Sequence, residues 1–296
     1  MSMGTSRTAV TPLDAEGVRT HPLCGPLDRM PAHYRGPHQL SRDGWVDFAD
    51  RLERREEIAL ACAATDANHA VLDVGGGTGE LTRAIAEQLG HCTTVEPHGS
   101  RVATLRGPEV GRTGTLDVHP GRAEALPFPD ESFDAVLAAW ILPYVDDLER
   151  SAREIARVCD PSHPEAKIVL IGGAPDNELV ELLNRTCVPL ADEPQDHQGF
   201  LLATAAEVLA DYGFSRFTVH RTEAALHFPE PDLDGRVAAA AAVLVNFWFE
   251  GHPRAEEMRQ SIAPALREHF AHRPHAIGDQ GAVLIARPHT STASVL

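Results

Sequence analysis

Val71-Leu-Asp-Val-Gly-Gly-Gly-Thr-Gly79 is the stretch on which the fold turns. Its first four residues are apolar apart from Asp73, and they end in glycines at 75, 76, 77 and 79. Beyond them Leu81, Ile85 and Leu89 recur every four residues, the spacing of one helix face. A buried strand that turns through glycines into a helix leaves bare backbone beside the unpaired N–H groups of the helix's first turn, so a ligand can lie against it.

The charge around this turn narrows the ligand. In many nucleotide-binding chains such a helix end faces phosphate. Here Asp73 and Glu80 bracket the glycines with negative charge, which suits a ligand carrying an ammonium and a sulfonium. The glycine spacing also departs from the GxGxxG pattern of a dinucleotide site.

Outward from the loop the pattern alternates. Strands are expected at 92–96, 115–119, 135–140 and 167–171, with helices at 81–89, from 101 to 106, 148–158 and 178–185. Such βα alternation implies a parallel, doubly wound sheet. The end differs: a helix at 204–212 closed by Gly213, a strand at 217–221, helices at 237–249 and 254–270 with a break or kink at Pro264, and a last strand at 281–287. Upstream, residues 1–40 are rich in Pro, Gly, Ser, Thr and His and are expected to be flexible. From Ser41 the character changes. Trp45, Phe48, Leu52, Ile58 and Cys62 stand at helical spacing among charges, so 41–66 reads as a helical lid on the domain at 67–290, with a helical insertion at about 230–272.

Bulk properties exclude several classes. The net charge of −17 lacks the basic footprint of a nucleic-acid binder. The five cysteines are scattered and form no CxxC pair, consistent with reduced thiols in a cytoplasm rather than a zinc site or disulfide framework. No apolar run is long enough for a membrane span, and the N-terminus lacks a signal-peptide core. His269, His272 and His275 are spaced by three, but Pro274 interrupts them, so no metal site is expected.

Glu96 ends the second strand, in Thr93-Thr-Val-Glu-Pro-His98, where a carboxylate can accept both hydroxyls of a ribose. Next comes Gly121-Arg-Ala-Glu-Ala-Leu-Pro-Phe-Pro-Asp-Glu-Ser-Phe-Asp134, running into Ala135-Val-Leu-Ala-Ala-Trp-Ile-Leu-Pro-Tyr-Val-Asp-Asp147. Taken in order, these motifs resemble the class I S-adenosylmethionine (SAM)-dependent methyltransferases, in the group acting on small molecules and quinones. The resemblance is close over residues 70–175 and loose beyond.

It implies a seven-stranded sheet of order 3-2-1-4-5-7-6 with the last strand antiparallel, SAM as cofactor and S-adenosylhomocysteine as product. Asp73, Gly75 and Gly77 would hold the methionine part. Glu96 would take the ribose, with Pro97 and His98 beside the adenine, and Ala123 would offer its N–H to that ring. Ala139 and Trp140 would line the sulfonium and its methyl. The family often has an acid before the Ala-Glu pair, but here the residue is Arg122, which cannot accept a hydrogen bond. Adenine recognition would then fall to backbone, to Glu124 or to stacking by Arg122.

Methyl transfer needs an aligned nucleophile and little else, so no fixed triad is expected. Three places offer acceptor-side chemistry. His33, Tyr34 and His38 precede the lid, with Tyr34 and His38 able to orient or deprotonate an acceptor. Trp140 and Tyr144 form an aromatic wall, with Tyr144 a further catalytic candidate. His197 and Trp248 lie in a polar loop and an aromatic helix. The reading is a cytoplasmic enzyme, monomer or homodimer, acting on a small organic acceptor, with no nucleic-acid or membrane partner. Few lysines among many Ala, Arg and Gly suit a GC-rich genome, where such enzymes decorate aromatic specialised metabolites at carbon, nitrogen or oxygen. A SAM-binding protein without methyl transfer and an NAD-linked oxidoreductase remain the alternatives.

Overall fold

The computed structural model describes residues 11–24, 42–107, 113–192 and 199–289. Within them the chain forms α1 (Ala15–Arg19), α2 (Arg42–Ala49), β1 (Leu52–Glu53), α3 (Arg55–Ala64), β2 (Val71–Val74), α4 (Glu80–Leu89), β3 (His91–Glu96), α5 (Gly99–Arg106), β4 (Thr115–Pro120) and β5 (Ala135–Ala139). A 3-10 turn at Leu142–Tyr144 leads to α6 (Leu148–Val158), β6 (Lys167–Gly173), α7 (Glu178–Thr186), α8 (Val188–Ala191), α9 (Gly199–Asp211) and β7 (Arg216–Thr222). The rest is β8 (Ala225–His227), α10 (Leu233–Trp248), α11 (Ala255–His272), β9 (Ala276–Gly278) and β10 (Gly281–Arg287).

Seven strands make one sheet in the order β4-β3-β2-β5-β6-β10-β7. Counted along the chain as seven, that is 3-2-1-4-5-7-6, the expected order. β2 pairs parallel with β3 and β5, whereas β10 runs antiparallel between β6 and β7. The central strands β2 and β6 are buried along their whole length because helices cover both faces, which is why they read as continuous apolar runs. Phe214 and Phe217 are fully buried, each contributing about 1.5–3 kcal/mol.

Three features depart from the sequence reading. Residues 11–24, within the stretch expected to be flexible, pack on the sheet edge. Leu13 and Phe217 exchange backbone hydrogen bonds of 2.7 and 2.8 Å, Asp14 caps α1, and Val18 and Cys24 are fully buried. A handful of well-placed apolar residues anchors this segment despite its weak periodicity. A second, three-stranded sheet, β1-β8-β9, joins the middle of the lid to the C-terminal part. Strands of two or three residues are too short to carry a period. Finally, α11 runs from Ala255 to His272 with Pro264 inside it and no break between elements.

The helices beyond the sheet have their own core. Phe48 of α2, Leu179 and Leu183 of α7, Phe247 of α10 and Met258, Ile262 and Phe270 of α11 form one buried cluster separate from those on the sheet. The α10–α11 hairpin and the lid helix α2 therefore pack as a unit beside the C-terminal ends of the parallel strands, the end where ligands bind in open α/β sheets.

Candidate active site

The glycine loop has the conformation its composition predicts. Gly75, Gly77 and Gly79 have φ of +85°, +55° and +86°. The N–H groups of Gly75 and Gly76 both donate to the Val95 carbonyl, at 2.7 and 3.2 Å, and pull the turn against β3. A methyl group at position 75 would collide with Ile141 Cγ2, and one at 76 would collide with Thr94 Oγ1. At Gly77 the same methyl would meet nothing nearer than 3.8 Å. The backbone there faces open space, a surface against which a ligand can lie.

Asp73 sits beneath the loop with 2% of its surface exposed. Its Oδ2 accepts the Thr82 hydroxyl at 2.5 Å, and its carbonyl accepts the Thr94 hydroxyl at 2.9 Å. Burial pushes its carboxyl up to about 6, against the Thr82 hydrogen bond and together with the charge of Glu96. Glu96 is 1% exposed and ties the loop to β3. Its Oε2 accepts the Gly77 N–H at 3.0 Å and its Oε1 accepts the His98 N–H at 3.0 Å. Each oxygen keeps a lone pair for a further donor. Pro97 and His98 follow on the exposed surface.

A cavity of about 400 Å³ opens on this loop. Its floor is Asp73, Gly75, Gly76, Gly77, Thr78 and Glu80, its strand-end wall is Ala139, Trp140 and Ile171, and its outer wall comes from the lid, including Asp50, Leu52, Arg54, Glu57 and Ile58. The structure thus brings Asp73, Gly75, Gly77, Ala139 and Trp140 of the sequence-derived set to one space. The acids around it, with bare glycine backbone between them, fit a cofactor bearing an ammonium and a sulfonium.

The segment after β4 is bound to the turn after β5. Arg122 pairs with Asp146 at 2.6 Å and with Glu124 at 3.4 Å, and Glu124 accepts the Asp146 N–H at 2.7 Å. These hydrogen bonds and Arg122 hold the Glu124 carboxyl below its ordinary value, in spite of partial burial. Ala123 is buried between them. Tyr144 leaves 36% of its surface exposed and is not among the residues that line the cavity. Burial raises the phenol's pKa, and so does the charge of Asp279, against Arg54 and Arg101. Trp248 does not line the cavity. Its ring packs edge-on against Phe48 and Phe247, with centroids 5.8 and 4.5 Å away. His33, Tyr34, His38 and His197 lie outside the described residues. His269 approaches the Ala276 carbonyl at 2.9 Å and Glu178 at 3.9 Å, a contact that closes α11 onto β9.

Sequence reasoning missed the inner face of α3. Glu57 is 1% exposed, and Arg54 and Glu57 line the cavity. They stand in Arg54-Arg-Glu-Glu57, a run that reads as a solvated first turn. Glu57 is four residues before the fully buried Ala61, on the same helix face. That spacing was the available signal.

Comparison with known proteins agrees with this geometry. The family described as "Methyltransferase domain" matches residues 72–162. The ubiquinone/menaquinone biosynthesis C-methyltransferase UbiE of Pseudoalteromonas translucida (strain TAC 125) is 33% identical over 135 residues, 44% of this chain and 52% of that protein. UbiE of Hahella chejuensis (strain KCTC 2396) is 37% identical over 122 residues, 38% of this chain and 47% of that protein. The chain spans about half the length of these curated relatives. Among solved structures, the YcgJ protein of Bacillus subtilis has the same fold, with a TM-score of 0.55 at 16% identity over 80% of this chain and 100% of that one. The glycine loop, the acidic strand end and the sheet order agree with the methyltransferase domain matched at residues 72–162.

Proposed function

We propose that the chain transfers the methyl group of SAM to a small organic acceptor bearing an aromatic or conjugated ring. The observation that carries this reading is the cavity shared by the glycine loop, Trp140 and the lid residues Arg54 and Glu57. A donor seated on the loop and an acceptor against the indole would meet inside it. When bound, SAM supplies an electrophilic methyl on a positively charged sulfur.

The chain's own residues do the rest. Asp73 and Glu80 favour the positive end of the cofactor, Glu96 accepts ribose hydroxyls, and Ala123 with Glu124 faces the adenine. Ala139 and Trp140 stand at the transferred methyl, where the indole face attracts a sulfonium. The lid residues form one wall of the cavity, which helps to hold donor and acceptor in alignment. Tyr144 offers a hydroxyl to the acceptor. A phenol is protonated near neutral pH, and burial raises its pKa further, so it donates a hydrogen bond rather than acting as a base. His33, Tyr34, His38 and His197 are further candidates for the acceptor side.

The UbiE relatives are named for C-methylation in quinone biosynthesis. They support a ring carbon as one acceptor atom, alongside the nitrogen or oxygen of an aromatic specialised metabolite. The domain matched at 72–162 ends before α10 and α11, so the acceptor side need not follow theirs. Incubation with methyl-labelled SAM and a panel of quinols, phenols, indoles, aliphatic acids, peptides and RNA tests the reading. Label on a ring-bearing small molecule supports it, and label confined to acids or macromolecules overturns it.

A further inference from the structure

Trp140 has a φ of +56°, a left-handed conformation that is costly for a bulky side chain and persists only where its surroundings enforce it. Those surroundings are specific. The Trp140 N–H donates to the Ile171 carbonyl at 2.8 Å. Its indole Nε1–H donates to Glu57 Oε2 at 2.9 Å. The Arg54 guanidinium lies 5.5 Å from the ring centroid.

Glu57 is held as firmly as the indole it holds. Its Oε1 accepts the Thr222 hydroxyl of β7 at 3.0 Å. The slot for this carboxylate exists because residue 281 is glycine. A methyl group there would lie 2.5 Å from Glu57 Oε1 and 2.6 Å from Thr222 Oγ1. The residue after β5, with β7 and β10, thus converges on one buried carboxylate of α3. Burial raises its pKa, and Asp279 pushes the same way, while Arg54, Trp140 and Thr222 oppose them. An apolar side chain would fill such a slot at lower cost if packing were its only task.

We infer that Glu57 is a positioning residue: it fixes the Trp140 indole as the wall between the cofactor loop and the acceptor space, and so makes the lid helix α3 part of the cofactor site. This inference rests on the reading of the cavity as a SAM site. Losing Glu57 would free the indole, and the left-handed backbone at Trp140 would relax with it. The cofactor would lose both its aromatic wall and the tie between that wall and α3.

The test uses the full chain and S-adenosylhomocysteine as the probe. In a Trp45→Phe, Trp248→Phe background the remaining indole is Trp140. Glu57→Leu is expected to weaken S-adenosylhomocysteine binding about tenfold, the scale of a lost hydrogen bond to a charged group, and to make the Trp140 emission markedly easier to quench with acrylamide. Glu57→Gln, whose amide can accept from the indole and donate to Thr222, should restore both to within about threefold. Combining Glu57→Leu with Trp140→Phe should weaken binding no further than Trp140→Phe alone. If Glu57→Leu does not fold, the comparison of Glu57→Gln with Trp140→Phe decides: near-native binding and shielding in the first, with a loss in the second, upholds the role. Additive losses in the double variant, or an equally shielded indole and unchanged affinity without Glu57, overturn it. A parent protein that binds neither SAM nor its product defeats the cofactor reading itself, which is a different outcome.

Discussion

Glu96 Oε2 accepts the backbone N–H of Gly77 at 3.0 Å, so the end of β3 and the turn after β2 are held as one piece. The carboxylate shapes the loop and, in the proposed function, also receives a ribose. Glu96→Ala removes both roles. Binding of S-adenosylhomocysteine is expected to weaken by about 1–3 kcal/mol, because the hydroxyls and the Gly77 N–H lose their acceptor. Calorimetry reads this directly, and unchanged affinity would mean that the ribose lies elsewhere.

Gly75→Ala tests the loop from the steric side. The added methyl meets Ile141 Cγ2, on a backbone whose φ of +85° already disfavours any side chain. The expected outcome is lost cofactor binding together with a lower melting temperature. Native affinity in the Gly75→Ala variant would show that the turn is free to rearrange.

Asp73 predicts a pH dependence. Its folded pKa, about 6, lies above the ordinary 3.8, so the native state retains this proton at a pH where the unfolded chain has released it. Stability from this group is therefore full below about 4 and is lost as pH rises to about 6, by roughly 3 kcal/mol. Affinity for a cationic cofactor should move the other way, rising with pH through about 6 as the carboxylate forms. Asp73→Asn should flatten both curves. Thr82→Val removes the hydroxyl that stabilises the carboxylate and should move the midpoint upward. A midpoint unmoved in Thr82→Val contradicts this assignment.

The sheet was legible in the sequence because buried strands are written as mostly apolar runs, as at Val71–Val74 and Gly281–Arg287, and the strand order followed from the family resemblance. The second sheet was not legible, since Leu52–Glu53 and Ala276–Gly278 are held by partners distant in the chain rather than by local preference. At the site, glycines and strand-end acids announced themselves through spacing. Glu57 did not, because its burial depends on Thr222 and Gly281, more than 160 residues away. Trp248 illustrates the converse. An aromatic cluster on a helix resembled a pocket wall, and its rings pack on Phe48 from the lid.

Arg122→Ala separates two accounts of the adenine site. The guanidinium is half-exposed and engaged by Asp146 and Glu124. Its removal should cost no more than about 1 kcal/mol of stability, and should change S-adenosylhomocysteine affinity less than about threefold. A tenfold loss of affinity in calorimetry would instead assign it to stacking on the ring.

The most direct test of the cofactor assignment is titration of the full chain with SAM and with S-adenosylhomocysteine in a calorimeter, with NADH titrated in parallel by fluorescence. The glycine loop, Asp73 and Glu96 predict saturable binding of both sulfur compounds at one site per chain and none of NADH. Saturable NADH binding, with no heat from either sulfur compound, would contradict the account.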